Sequence, residues 1–324
     1  MILIIYPSAA EIWLQKNPFE NSVYHISAER LKLPEHYTFK CSAALLKDLH
    51  DSLGLSYPIY FSAKDPNAKR NDQRCVCRTR MLPFPPDSFV CLSYAEHDIY
   101  LATPELCFLQ AAHILDFRDL LKFGYELCSN YFVTPANQLI NQRTALTSTV
   151  QLKDFLNNAA GFYGIKKART ALRYIIDNSN SPMESILAIL LFLPEHLGGF
   201  HTLKPSLNSF VSLTPEAEKL LGFSTIRPDL IWPSKKVAVE YNSDDYHSSS
   251  SARYNDSNRS AALTLSGYKV ISFTTNDMKD FNSFENKVNV LRKALKCLNN
   301  NSLLEKYRDV RTDLFYHFNS HSPN

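Results

Sequence analysis

Long apolar runs, a secretory leader and a dominant charge are all missing from this 324-residue sequence. No run approaches the ~20 apolar residues that a membrane-spanning helix needs. The apolar start, residues 1–6, is cut short by Pro7 and lacks a basic leader, so it predicts a strand rather than a signal peptide. We therefore expect a cytoplasmic protein that has no membrane partner.

The net charge and the cysteine count limit the possible partners and metal sites of the protein. A net charge of only +3 means that any electrostatic footprint for nucleic acid must be local. Seven cysteines, an odd number, point to a reducing compartment and free thiols. Cys75 and Cys77 lack a second well-spaced cysteine pair or clustered histidines, so they do not by themselves predict zinc. No internal repeat is evident, and 45% apolar residues with only eight glycines provide ample core material.

The chain divides into segments of different character. We predict an N-terminal α+β domain over residues 1–135, a helical connector over 144–178, an α/β domain over 181–298 and a helical tail over 299–324. Helices are expected at residues 43–53 and 104–128. The densest basic stretch, residues 64–80, either follows a phosphate backbone or forms a solvated loop.

Two carboxylates in the third segment are placed by a predicted hairpin. Residues 229–232 and 237–240 are short runs rich in β-branched and aromatic side chains, and the four residues between them form a typical hairpin connection. This register sets Asp229 directly opposite Glu240, with Cβ atoms roughly 5 Å apart. Like charges so close favour a neutralising cation, and Mg²⁺ uses one or two carboxylates with water and phosphate oxygens. The alternative is that Asp229 faces solvent while Glu240 forms a surface ion pair with Lys235 or Lys236.

The residues that follow the hairpin add an ordered set of elements. A helix over residues 252–266 carries Asp256 and Arg259, Gly267 ends it, and residues 268–274 alternate as a strand. The crossover helix allows this strand to pair in parallel. With the apolar helix at 186–193 and a closing helix at 284–298, the order is helix, three strands, helix, strand, helix.

These motifs resemble the PD-(D/E)xK nuclease superfamily, and more specifically the bacterial domain-of-unknown-function group related to the very-short-patch-repair (Vsr-like) endonuclease. The resemblance covers about the last 140 residues. The matching motifs are SPMES, RPDLIWP, VAVEYNSDDYH, Arg253 with YNDSNR, and LSGYKVISFT. The resemblance implies a C-terminal restriction-endonuclease-like αβββαβ core, in which helices flank a mixed sheet. It also implies Mg²⁺- or Mn²⁺-dependent hydrolysis of nucleic acid, with DNA favoured over RNA.

The resemblance also assigns roles to individual residues. Asp229 and Glu240 become metal-site carboxylates, with the Tyr241 carbonyl as a further ligand, and His247 becomes the active-site histidine. Asp256 and Arg259 become the helix pair that supports the site, although a plain helix-surface ion pair explains them as well. The cations expected to contact nucleic acid are Lys235, Lys236 and Arg253.

Two positions keep alternatives open. Asn242 and Ser243 stand where the group has Asp and Gly, and an amide oxygen in place of a carboxylate lowers the expected metal affinity and turnover. A degenerate nucleic-acid-binding module in a defence or toxin-antitoxin setting is therefore the main alternative, and an interaction scaffold is a third. Glu184 is either a metal ligand or part of a capping box with Ser181.

The N-terminal part carries a second, weaker resemblance. The stretches CVCRTRMLPFPPDSFVCL and IYLATPELCFLQAA resemble a segment of abortive-infection antitoxin-type proteins, in which a strand pair precedes a helix. This resemblance implies no chemistry.

Overall fold

A computed structural model describes residues 2–15, 18–19, 23–31, 33, 42–79, 83–94, 97–133, 139–141, 143–242, 250–297 and 301–319. The side chains of residues 66, 97–98, 140–141 and 250–256 lie outside this description. The chain forms two compact units, Met1–Ile175 and Ile176–Asn324. Within the described residues, no helix combines the length and the apolar character that crossing a bilayer requires.

The first unit contains a large mixed sheet flanked by helices. Its elements are β1 (Ile2–Ile4), α1 (Ser8–Trp13), β2 (His25–Leu31), α2 (Ala43–Leu53), β3 (Ile59–Ala63), β4 (Arg70–Asn71), β5 (Cys75–Thr79), β6 (Phe89–Tyr94), β7 (His97–Ala102), α3 (Pro104–Ile114), α4 (Phe117–Leu127), β8 (Tyr131–Val133), β9 (Leu139–Asn141), α5 (Thr149–Asn157) and α6 (Ile165–Leu172). Seven strands pair in the order β2-β6-β7-β1-β3-β5-β4. The pairs β1–β7 and β3–β5 are parallel. The antiparallel pair β6–β7 leads into α3, which agrees with the expected strand pair before a helix.

Helix boundaries in the first unit follow local capping signals. The helix predicted over residues 43–53 is confirmed as α2, which begins after the cap Ser42 and ends at Gly54. The single helix predicted over 104–128 is wrong, because α3 ends at Ile114 and α4 starts at Phe117. Asp116 causes the break, since its side chain accepts the Asp119 N–H and starts a new helix.

The segment expected as a connector, residues 144–178, folds mostly within the first unit. Both of its helices, α5 and α6, pack against α3, and α6 also packs against α4. Leu152, Phe155 and Leu156 form the buried face of α5. This apolar face explains the packing, because it can leave water only against another element.

The second unit is built on a smaller sheet. Its elements are α7 (Pro182–Phe192), β10 (Ser206–Leu207), β11 (Val211–Ser212), α8 (Pro215–Leu221), β12 (Thr225–Ile226), β13 (Leu230–Trp232), β14 (Val237–Asn242), α9 (Ser250–Leu265), β15 (Lys269–Thr274), α10 (Phe281–Leu295), α11 (Asn301–Lys306) and α12 (Arg308–Asn319). Four strands pair in the order β10-β13-β14-β15. The β13–β14 pair is antiparallel and the β14–β15 pair is parallel, as predicted.

The second unit contains a short helix and a strand pair that the sequence did not predict. A short helix, α8, stands between β11 and β12, and these two strands form a separate antiparallel pair. Thr214 caps α8 and Gly222 ends it. The predicted C-terminal tail packs into this unit through Phe315, whose ring lies 5.1 Å from that of Phe284 on α10.

Candidate active site

The hairpin brings the two predicted carboxylates to neighbouring positions. Strands β13 and β14 pair Leu230 with Val239, and continuing this register by one residue sets Asp229 opposite Glu240. Asp229 immediately precedes β13, and its Oδ2 atom accepts the backbone N–H of Tyr241 at 2.6 Å. This bond to the backbone fixes the Asp229 carboxylate beside β14, at the start of β13.

Glu240 is buried and paired with a cation from α9. It is 8% exposed, and its Oε1 atom lies 3.3 Å from Arg259 Nη2. The same guanidinium nitrogen donates to the Arg227 carbonyl at 2.9 Å. Arg259 therefore contacts both Glu240 and the backbone next to β13, while the supporting role that the resemblance implied for it stays a prediction.

The alternative pairing of Glu240 with a hairpin lysine is not observed. Lys235 and Lys236 are both exposed at the turn, where residues 233–235 form a short 3₁₀ helix. The Lys236 ammonium lies 4.4 Å from the centre of the Tyr268 ring.

Glu184 adds a third carboxylate. Its backbone N–H donates to Ser181 Oγ at 3.2 Å, as in the predicted capping box. The carboxylate accepts the N–H of Asn180 at 2.8 Å rather than that of Ser181. It also accepts the Asn208 side-chain amide at 2.6 Å, and the Asp229 charge acts on it. The capping role is thus real, and it coexists with proximity to the carboxylate pair.

Asn208 is a site residue that sequence reasoning missed. Its side chain binds Glu184, while its backbone N–H donates to the Asp229 carbonyl at 3.1 Å. Asn208 has a φ of 47°, a left-handed conformation that Asn adopts more readily than most residues. Asn at a chain reversal signals only a turn, so the sequence offered no direct sign of this bridge.

Burial and mutual repulsion perturb the carboxyl groups. Burial, reinforced by the negative charge of Asp229, raises the pKa of Glu184 to about 7. The same two causes raise the pKa of Glu240 to about 8, although Arg259 opposes them. Ionisation of these two buried carboxyl groups is therefore unfavourable in the absence of a further cation, and a bound dication would favour their charged forms.

The oxygen donors of this site suit a magnesium-like ion, but the protein supplies few of them. In the described part of the chain, no group of three or more His, Cys, Asp or Glu side chains is placed to hold a metal ion. A site of two carboxylates completed by water and phosphate oxygens needs no such group. Asp229 and Glu240 fit that kind of site, since both are oxygen donors and the hairpin register sets them opposite each other.

Some of the remaining predicted site residues lie within the described structure, and others lie outside it. Asn242 ends β14, half-buried beside Thr274 of β15, and the Tyr241 hydroxyl lies 3.3 Å from Thr275 Oγ1. His247 lies outside the described residues. Arg253 and Asp256 belong to helix α9, but their side chains lie outside the described part of the structure, so the predicted pair of Asp256 with Arg259 is untested.

An open groove adjoins the carboxylates. It encloses about 780 Å³, and we call it the aromatic groove; its lining residues are Phe210, Leu220, Leu221, Phe223, Thr225, Ile226, Arg227, Asn258 and Arg259. Phe210 and Phe223 are 67% and 68% exposed. The Arg227 guanidinium lies 4.0 Å from the centre of the Phe210 ring. Arg259 connects the groove to Glu240, so the groove opens beside the candidate active site.

No protein-family model matches this chain, and neither the curated proteins nor the solved structures contain a significant match to it. The resemblance to the Vsr-like group remains a prediction that depends on the motif residues.

Proposed function

We propose that this protein is a metal-dependent nuclease that hydrolyses phosphodiester bonds of nucleic acid, with DNA the preferred substrate. In this proposal α7, the strands β10, β13 and β14, α9 and β15 correspond to the restriction-endonuclease-like αβββαβ core. The observation that carries the proposal is the meeting of Asp229 and Glu240 on the paired strands β13 and β14, where burial and the charge of Asp229 make ionisation of Glu240 unfavourable without a cation. An excess of buried negative charge is costly unless a cation joins it.

Different residues would hold the metal ion and orient the carboxylates that bind it. When bound, Mg²⁺ or Mn²⁺ would polarise the scissile phosphate and lower the pKa of an attacking water. Asp229 and Glu240 would hold the ion. The Tyr241 N–H keeps the Asp229 carboxylate oriented, and Arg259 holds the Glu240 side chain in place.

The aromatic groove supports a nucleic-acid substrate. Every base has a flat face that stacks on aromatic side chains, and an arginine next to the ring adds a cation for the backbone. Phe210, Phe223 and Arg227 provide both features beside the carboxylates. We infer that an unpaired or displaced base lies in this groove while its phosphate reaches the metal site.

One alternative function has its own supporting observation. Asn242 occupies the position at which the related pattern has a carboxylate, so the chain offers one negative ligand fewer to a cation. A nucleic-acid-binding module that no longer cleaves would keep the groove and the exposed lysines while losing turnover. The two functions differ in whether Mg²⁺ or Mn²⁺ produces cleavage.

A cleavage assay separates these functions. Supercoiled DNA, linear duplex DNA, single-stranded DNA and single-stranded RNA are incubated with the protein and Mg²⁺, Mn²⁺ or EDTA. We expect metal-dependent cleavage that Asp229→Ala lowers by roughly a hundredfold or more. The matched control is Glu305→Ala, which removes an exposed carboxylate from α11 of the same unit and should leave the rate unchanged. Retained binding with no cleavage of any substrate would favour the binding module instead.

A further inference from the structure

The first unit contains a second cavity with a chemistry of its own. It encloses about 350 Å³, within the range of small-molecule sites. Its walls are formed by Ile5, Ser62, Arg78, Thr79, Phe84, Leu106, Leu109, Gln110, His113, Phe162 and Tyr163. It lies at the carboxyl ends of the parallel strands β3 and β5, where open α/β sheets commonly bind their ligands.

The wall of the cavity carries side chains that can donate hydrogen bonds to a ligand. Ser62 is 2% exposed, yet its hydroxyl bonds to none of the described residues. Ser62 pairs in register with Arg78 on the neighbouring strand, so both side chains project from the same face of the sheet. The Arg78 guanidinium lies 5.5 Å from the Tyr60 ring centre and forms no ion pair within the described chain. Both side chains border the cavity, so the Ser62 hydroxyl and the Arg78 guanidinium can donate to a ligand there.

Gln110 extends the set of donors. Its Oε1 atom accepts the Tyr6 N–H at 3.1 Å. The side-chain nitrogen of Gln110 is therefore the atom that can donate to a ligand. Thr79 adds a second hydroxyl, and no carboxylate is among the described residues of the wall. One cation, two hydroxyls and an amide nitrogen therefore border one space, and the described wall contributes no negative charge. This set matches an anionic group with several acceptor oxygens.

The remainder of the wall is apolar and largely aromatic. Phe84, Phe162 and Tyr163 supply rings, with Leu106 and Leu109 on α3 behind them. Tyr163 is 79% exposed, and its ring centre lies 5.4 Å from that of His113. Aromatic rings pack well against other flat rings in offset or edge-on arrangements.

We propose that this cavity binds a small organic anion with a flat aromatic body, such as an aromatic carboxylate or a nucleoside monophosphate. The anionic group accepts from Arg78, Ser62 and Gln110, and the ring lies between the aromatic walls. The site is independent of the carboxylates in the second unit. The geometry thus assigns a ligand-binding role to the first unit, for which the antitoxin-type resemblance implied no chemistry.

Calorimetric titration of the full chain with four probes tests this site. The probes are adenosine 5′-monophosphate, indole-3-acetate, and their uncharged counterparts adenosine and indole-3-acetamide. We expect at least one anion to bind more tightly than its uncharged counterpart. Binding of the nucleotide alone identifies a phosphate ligand, and binding of indole-3-acetate alone identifies a carboxylate. Failure of both anions to bind, or equal binding of the charged and uncharged probes, overturns the proposal.

Matched substitutions locate the binding. Arg78→Gln should weaken the anion roughly 10- to 100-fold, because a charge-assisted hydrogen bond is lost, and Ser62→Ala should weaken it by a smaller factor. Arg74→Gln removes an exposed cation that precedes β5 and does not line the cavity, so it should leave the affinity unchanged. Circular dichroism of each variant checks that it is folded. An affinity that both Arg78→Gln and Ser62→Ala leave at the wild-type value also overturns the proposal.

Discussion

Replacing Glu240 by Gln should stabilise the metal-free protein in alkaline solution. In the unfolded chain this carboxyl ionises near 4.5, whereas in the folded protein burial and Asp229 hold its pKa at about 8. Below 4.5 both states are protonated and nothing is lost. As the pH rises from 4.5 to about 8, the unfolded chain releases its proton first, so the folded state loses stability.

The size of the effect follows from the same values. The gap between 4.5 and about 8 corresponds to at most about 5 kcal/mol, at about 1.4 kcal/mol per pH unit. Structural relaxation around a buried charge lowers this figure, so we expect Glu240→Gln to add about 2 to 3 kcal/mol at pH 8.5. Near pH 4.5 the difference between wild type and variant should shrink towards zero.

Urea unfolding in EDTA measures this difference. The chain has two tryptophans, and a Trp13→Phe background leaves Trp232 on β13 as the fluorescent reporter of the second unit. Asp277→Asn is the opposite control: burial pushes the Asp277 pKa upward, but hydrogen bonds from Lys287 and Thr274 outweigh it and lower the pKa. That variant should be less stable at both pH values. If Glu240→Gln is less stable than wild type at pH 8.5, the pKa of Glu240 is not raised in the folded protein.

Two further substitutions address function. Asn242→Asp should tighten Mn²⁺ binding roughly tenfold in calorimetry and raise any cleavage rate, since a unit charge near the cation contributes on the order of 1 kcal/mol or more; an unchanged affinity would place Asn242 away from the ion. Phe223→Ala should weaken single-stranded DNA roughly five- to a hundredfold in fluorescence anisotropy, given about 1–3 kcal/mol per stacked base. Its control, Leu265→Ala, removes an exposed apolar side chain outside the aromatic groove, and equal losses in both variants would argue against stacking.

The local part of the site was predictable from the sequence. The hairpin around residues 233–236 has a short connection and two β-rich arms, so its register and the opposition of Asp229 and Glu240 followed from local rules. Capping by Ser181 and the stop at Gly267 were equally local.

The parts that the sequence did not reveal depend on contacts between distant segments. Asn208 reaches Glu184 from 24 positions away, and no periodicity marks such a bond. Arg259 reaches Glu240 across 19 positions, a partner that the motif implied only in general terms. The aromatic groove could not be predicted because phenylalanines are usually buried in a core. Only the fold shows that Phe210 and Phe223 are exposed.

The most direct test of the central claim is a crystal structure of the protein grown with Mn²⁺, with data collected for an anomalous difference map. The account predicts a single strong peak between the Asp229 and Glu240 carboxylates, within bonding distance of an oxygen of each. The same map from Asp229→Ala should lack the peak. A wild-type map with no anomalous density at these carboxylates, in crystals soaked at millimolar Mn²⁺, would contradict the metal site and with it the nuclease function.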